Sequence, residues 1–153
     1  MIIKSFRGQI ADNGIQTVPL STNNGSTGYR IKKLEGIPGL PGNDNFESVI
    51  QVWSVPQTAA SNAIDFSDQT LLGMIFYSSF NAGGANTDVV VFDNMTFNQD
   101  IYITYKESGS GASAETFNYY IELEQVSLDL TENTVATLKD IRNIAGQWVN
   151  NII

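Results

Sequence analysis

Asp93 and Asp100 bracket Asn94-Met95-Thr96-Phe97-Asn98-Gln99, and a pair of carboxylates is what acid–base cleavage of a glycosidic bond requires. Such a pair works when one carboxyl sits in an apolar pocket and the other is solvated, which no spacing along a chain establishes. Asp93 followed by Asn94 reads as a turn between two strands. Oxygen ligands for Ca²⁺ are offered by Asn43-Asp44-Asn45 and by Asp65 to Asp68. Neither stretch follows the alternating ligand pattern of an EF-hand, and turn formation accounts for both. Gly83-Gly84 and Gly109-Ser110-Gly111 join strands and lack the Lys of a phosphate-binding loop. Tyr102, Tyr105, Tyr119, Tyr120 and Trp53 are candidates for a carbohydrate platform. Alternation assigns Tyr105 and Tyr119 to the core and leaves Tyr102 and Tyr120 as the exposed pair, which suits a protein contact better than a sugar site.

Composition closes most other routes to catalysis. The 153 residues include no histidine, so the usual neutral-pH general base, the usual metal ligand and every Ser-His arrangement are absent. They include no cysteine, which removes disulfides, thiolate metal sites and thiol nucleophiles. No enzyme, no cofactor and no small-molecule substrate is expected. Charge is uneven: residues 1 to 33 carry Lys4, Arg7, Arg30, Lys32 and Lys33 against Asp12 alone, a balance of +4, while the other 120 residues stand at −12, for a net −8. An acidic chain of this kind repels nucleic acid, and five basic residues in one segment make a poor phosphate footprint. No run approaches the roughly 20 apolar residues of a membrane span, and the opening Met-Ile-Ile-Lys-Ser-Phe-Arg-Gly has no signal-peptide core.

The elements that must position these residues are strands. Runs rich in β-branched and aromatic residues recur near 2 to 10, 15 to 20, 29 to 37, 46 to 55, 70 to 80, 88 to 92, 100 to 107 and 116 to 126, separated by Gly, Asn, Pro and Ser clusters. That spacing predicts a mainly β domain over residues 1–128, an antiparallel β-sandwich, jelly-roll-like, of about eight strands. Asp12-Asn13-Gly14 predicts a tight hairpin between the first two. Phe117, Tyr119, Ile121 and Leu123 alternate with polar neighbours, as do Ile101, Ile103 and Tyr105, so each strand has one face in the core. Val89-Val90-Val91-Phe92 is continuously apolar and is expected to be covered on both sides.

After Val126 the period changes. Leu138, Ile141, Ala145, Trp148 and Ile152 fall three or four residues apart, which predicts an amphipathic helix and tail over residues 129–153. Its seam would either close one end of the β domain or pack on a neighbouring subunit, and the final isoleucines favour the second. These five residues are the candidate oligomer contacts, and a homo-oligomer is expected.

Several segments taken together resemble small virion structural proteins of marine tailed bacteriophages. They are the opening Met1-Ile2-Ile3-Lys4-Ser5-Phe6-Arg7-Gly8, the segment Leu20-Ser21-Thr22-Asn23 leading to Gly28-Tyr29-Arg30-Ile31-Lys32-Lys33, the stretches Phe97-Asn98-Gln99-Asp100-Ile101-Tyr102-Ile103-Thr104 and Asn118-Tyr119-Tyr120-Ile121-Glu122-Leu123-Glu124, and Thr137-Leu138-Lys139-Asp140-Ile141-Arg142-Asn143. The resemblance implies a non-enzymatic subunit used in many symmetric copies, made in the host cytoplasm and carried on the capsid surface. There it would decorate or cement the icosahedral shell, with the major capsid protein or other virion subunits as partners. No binding residues come with it. The residue reading adds Lys4, Arg7, Arg30, Lys32 and Lys33 as candidates to face an acidic shell. Two rivals remain: a receptor- or glycan-binding fibre or tail module, and a glycan hydrolase built on Asp93 and Asp100.

Overall fold

The computed structural model describes residues 1–20, 25–41, 46–80, 84–108 and 115–128. Within them the eight predicted runs form eight strands: β1 (Ile2–Ile10), β2 (Ile15–Val18), β3 (Thr27–Pro38), β4 (Phe46–Trp53), β5 (Leu71–Phe80), β6 (Gly84–Val91), β7 (Ile101–Ser108) and β8 (Phe117–Ser127). The helix and tail expected over 129–153, with Leu138, Ile141, Ala145, Trp148 and Ile152, lie outside the described residues, as does Asn43-Asp44-Asn45.

The strands make two antiparallel sheets, one of three strands in the order β1-β8-β3 and one of five in the order β2-β7-β4-β5-β6. Each has an apolar face that water would penalise, and the two faces are buried against one another, giving a sandwich-like fold. Ile10, Ile31, Phe117, Ile121 and Leu123 of the first sheet join Phe46, Ile50, Ile75, Ile101, Ile103 and Tyr105 of the second in one buried cluster. Phe117 ties the layers together, its ring 5.5 Å from that of Tyr105 and 6.0 Å from that of Tyr77. Burying a side chain of this size stabilises by about 1.5–3 kcal/mol. The Tyr105 hydroxyl, inside the core, shares a 3.1 Å hydrogen bond with Ser48 Oγ, and burial pushes its ionisation well above the ordinary range. The alternation expected for β8 and β7 holds: Phe117, Tyr119, Ile121 and Leu123 are buried, as are Ile101, Ile103 and Tyr105.

Two expectations are corrected. Asp12-Asn13-Gly14 does form a turn, with Asn13 at φ 63° and Gly14 N–H donating to the Ala11 carbonyl at 2.8 Å. The strands it joins are not a hairpin, however, because β1 pairs with β8 and β2 with β7. The turn is instead a corner between sheets. It is fixed to β7 by Asn13 N–H on the Tyr105 carbonyl (3.0 Å), Tyr105 N–H on the Gly14 carbonyl (3.2 Å) and Glu107 N–H on the Asp12 carboxylate (2.8 Å). The second correction concerns Val89 to Phe92. Among the described residues β6 bonds only to β5 and ends its sheet, so this apolar run lies at an edge and is half exposed, not covered on both sides.

Candidate functional site: the open face of the three-stranded sheet

Strand alternation sends every second side chain of β1, β8 and β3 away from the core. In register across the sheet, Arg7, Tyr120 and Glu35 form one outward row, and Gln9, Asn118 and Ile37 form the next. Between them run Gly8, Tyr119 and Gly36, whose side-chain positions face inward. Both glycines are required there: a Cβ on Gly8 would lie 2.6 Å from the Tyr119 hydroxyl, and one on Gly36 would lie 2.6 Å from the Phe117 ring. Tyr119 fills the space beneath Gly8 and donates its hydroxyl to Gln16 Oε1 at 2.7 Å, while Phe117 and Ile75 fill the space beneath Gly36. The result is a groove of about 550 Å³ lined by Arg7, Glu35, Ile37, Asn118 and Tyr120, with strand backbone as its floor.

The chemistry of this face is mixed. Arg30 Nε donates to Glu124 at 2.8 Å, which raises the Arg30 pKa and lowers that of Glu124. Lys33 Nζ lies 3.4 Å from Glu35, with both side chains well exposed. The Tyr120 hydroxyl donates to Glu122 at 3.0 Å, and that bond raises its pKa. Gln9 Nε2 donates to Asn118 Oδ1 at 3.1 Å. Arg7 has no carboxylate within ion-pair distance among the described residues. Ile37 is 55% exposed at the groove wall. Three cations and three glutamates therefore share one face, which suits a neutral, contoured partner surface better than a strongly charged one.

Of the five basic candidates, the fold brings Arg7, Arg30 and Lys33 to this face. Lys4 sits opposite Leu123, in a row that points to the other side, with its ammonium 5.3 Å from the Tyr29 ring centre. Lys32 is the extra residue of a β-bulge between Ile31 and Lys33, and with Arg30, Asp93 and Asn94 it borders a separate hollow of about 310 Å³. Glu35 and Ile37 were not singled out from sequence. The bulge is the cause, since it shifts the alternation of β3 by one residue at a point where Lys32-Lys33 gives no apolar marker.

Three of the carboxylates considered for catalysis or metal binding, Asp100, Asp65 and Asp68, have structural partners. Asp100 accepts the Leu20 N–H at 3.0 Å. Asp65 accepts both N–H and Oγ–H of Ser67, which lowers its pKa; Asp68 accepts the N–H and Oγ1–H of Thr70. These are side-chain-closed turns. Among the described residues no group of three or more acidic side chains is placed to hold a metal ion. Tyr102 and Tyr120 are in different sheets and do not form one platform. In comparisons with known proteins, no family model matches the chain and no curated protein is similar to it.

Proposed function

We propose that this protein is a non-enzymatic structural subunit of a virion, a decoration or cement-type protein that docks on the outer surface of an icosahedral shell through the open face of its three-stranded sheet. The observation that carries the reading is the strand order, β1-β8-β3 against β2-β7-β4-β5. Chain-distant strands lie side by side as in a jelly-roll wind, with β6 bonded outside β5 instead of beside β3. Jelly rolls serve in viral capsid and lectin domains, and the step from this order to a virion role is an analogy of fold. The residue resemblance to small phage virion proteins supports the same reading. The groove walled by Arg7, Ile37 and Tyr120 is the proposed contact, with Arg30 and Lys33 held by glutamates of the chain itself.

The test is co-sedimentation of the purified protein with empty icosahedral shells assembled from a candidate major capsid protein. Wild type is expected to pellet with shells at a saturating ratio, and Ile37→Lys, which alters only an exposed side chain, is expected to stay in solution. Failure of wild type to bind shells or other virion subunits would overturn the reading. A receptor- or glycan-binding module is the second reading, favoured by Trp53 and Tyr102, which lie opposite one another on β4 and β7 and are each part-exposed. Binding of the protein to a glycan array, lost in Trp53→Ala, would favour it.

A further inference from the structure

A two-sheet protein has four edges, and proteins guard such edges with charge, proline, bulges or shortness, because unpaired backbone groups invite another strand. Three of the four edges here are guarded. β2 is four residues long. β1 carries Lys4 and Arg7. β3 carries the bulge, Lys32, Lys33 and Pro38, and its Tyr29 backbone is already bonded in both directions to Phe97 at 2.7 and 2.9 Å.

β6 has no lysine, arginine, proline or bulge. It runs eight residues, Gly-Ala-Asn-Thr-Asp-Val-Val-Val, in an unbroken ladder with β5, and its one charge is Asp88. Val89 lies opposite the fully buried Ile75, so its side chain faces the core, yet it is 42% exposed. Val90 lies opposite Met74 and faces the other way, part-covered. The strand thus has apolar side chains on both faces, and among the described residues no strand pairs with its outer edge.

We infer that β6 is a self-association edge, pairing antiparallel with β6 of a second copy across a twofold axis to join two five-stranded sheets into one of ten. The twofold keeps core-facing residues on one side, so residues directly opposite must share a face. With Thr87 on the axis, seven of the eight residues pair. Thr87 meets its own copy, each Asp88 carboxylate meets the Asn86 amide of the other copy, and each Val89 meets an Ala85. This register gives the strand's one charge a hydrogen-bonding partner twice over and covers the exposed Val89, and Thr–Thr pairs are favourable cross-strand neighbours. A closed, isologous contact of this kind uses one patch and leaves only the guarded edges of β1, β2 and β3. A second copy can offer only β6, since its other edges are the guarded ones. The inference does not depend on the virion reading.

Sedimentation velocity on the full chain tests it, with two variants. Val89→Lys places a lysine at the edge, the device that the other long edges use, at a position exposed enough to keep the fold. Wild type is expected as a dimer and Val89→Lys as a monomer that still unfolds cooperatively, its midpoint lower than wild type only by the concentration-dependent part that dimerisation adds. Because the chain has no cysteine, Thr87→Cys reports geometry directly. It is expected to form a disulfide dimer under mild oxidation, whereas Ser5→Cys on β1 is expected to stay monomeric under denaturing electrophoresis. A wild-type monomer at high concentration, an oligomer that Val89→Lys leaves intact, or crosslinking at Ser5→Cys but not at Thr87→Cys would each overturn the proposal.

Discussion

The outer faces of the two sheets have opposite fates. On the five-stranded sheet, Gln51, Thr104, Met74 and Val49 all point away from the core by register, yet none is more than 5% exposed. The connection from β4 to β5 crosses this face, and its Ser61 and Ala63 carbonyls accept from Gln51 Nε2 at 3.1 and 3.2 Å. Trp53 Nε1 donates to Thr104 Oγ1 at 3.1 Å on the same side. On the three-stranded sheet the equivalent positions hold Arg7, Arg30, Lys33, Glu35 and Ile37, all exposed. A face that its own chain closes is built from apolar and uncharged polar groups, because a buried charge without a partner is costly. A face that keeps its charges is left for water or for another molecule, and the two compositions tell the fates apart.

The sharpest way to break this contrast is to place the same charge on both faces. Met74→Lys buries an unpaired ammonium and is expected to destabilise by about 3–5 kcal/mol, enough to unfold many domains of this size. Ile37→Lys on the open face is expected to stay within about 0.5 kcal/mol of wild type. Urea unfolding of the two variants compares them directly, and equal losses would show that the three-stranded face is closed as well. An intermediate effect is expected from Gly36→Val. Its added carbons enter the space held by Phe117 and Ile75 beneath the groove, an overpacking that costs about 1–3 kcal/mol, visible in the same urea titration.

The smallest effect concerns carboxylates and has opposite signs in sheltered and open settings. Glu107, at the end of β7, has its pKa raised by burial and by nearby Asp12 and Glu115, partly offset by the Glu115 N–H that it accepts. The folded protein therefore holds this proton more tightly than the unfolded chain, and stability falls as pH rises from the ordinary glutamate value of 4.5 through the raised one. Glu124 on the open face has its pKa lowered by Arg30, so its contribution is present above 4.5 and is lost as pH falls through the lowered value. Thermal unfolding between pH 3 and 7 should show Glu107→Gln gaining on wild type as pH rises and Glu124→Gln losing ground over the same range. Parallel curves for the two variants would remove the contrast.

The strands were legible because each is a short β-branched run between turn-forming residues, and the inward faces of β7 and β8 were legible because their alternate residues are Tyr, Thr, Asn and Glu. Two things were hidden. Phe46-Glu47-Ser48-Val49-Ile50-Gln51-Val52-Trp53 has no clean alternation, since one face meets the core and the other meets the β4–β5 connection, and both are buried. Pairing was hidden too, because Asn13-Gly14 fits a hairpin and only the three-dimensional choice of β8 by β1 rules it out. The groove followed from that pairing, as it joins residues of β1, β3 and β8 and no local pattern in any one of them marks it.

β8 is the middle strand of the three-stranded sheet, and both of its neighbours precede it by most of the chain. Gln9 and Asn118, hydrogen-bonded in that sheet, are 109 residues apart. During synthesis β1 and β3 leave the ribosome as strands without a partner and remain so until residues 117–127 emerge. Closing so large a loop is slow, on a millisecond-to-second scale for folds dominated by such contacts. A nascent chain cut short before Phe117 therefore has no three-stranded sheet at all, and with it no groove. Only completed copies can compete for a partner surface, so the order of the strands acts as a length check on the product.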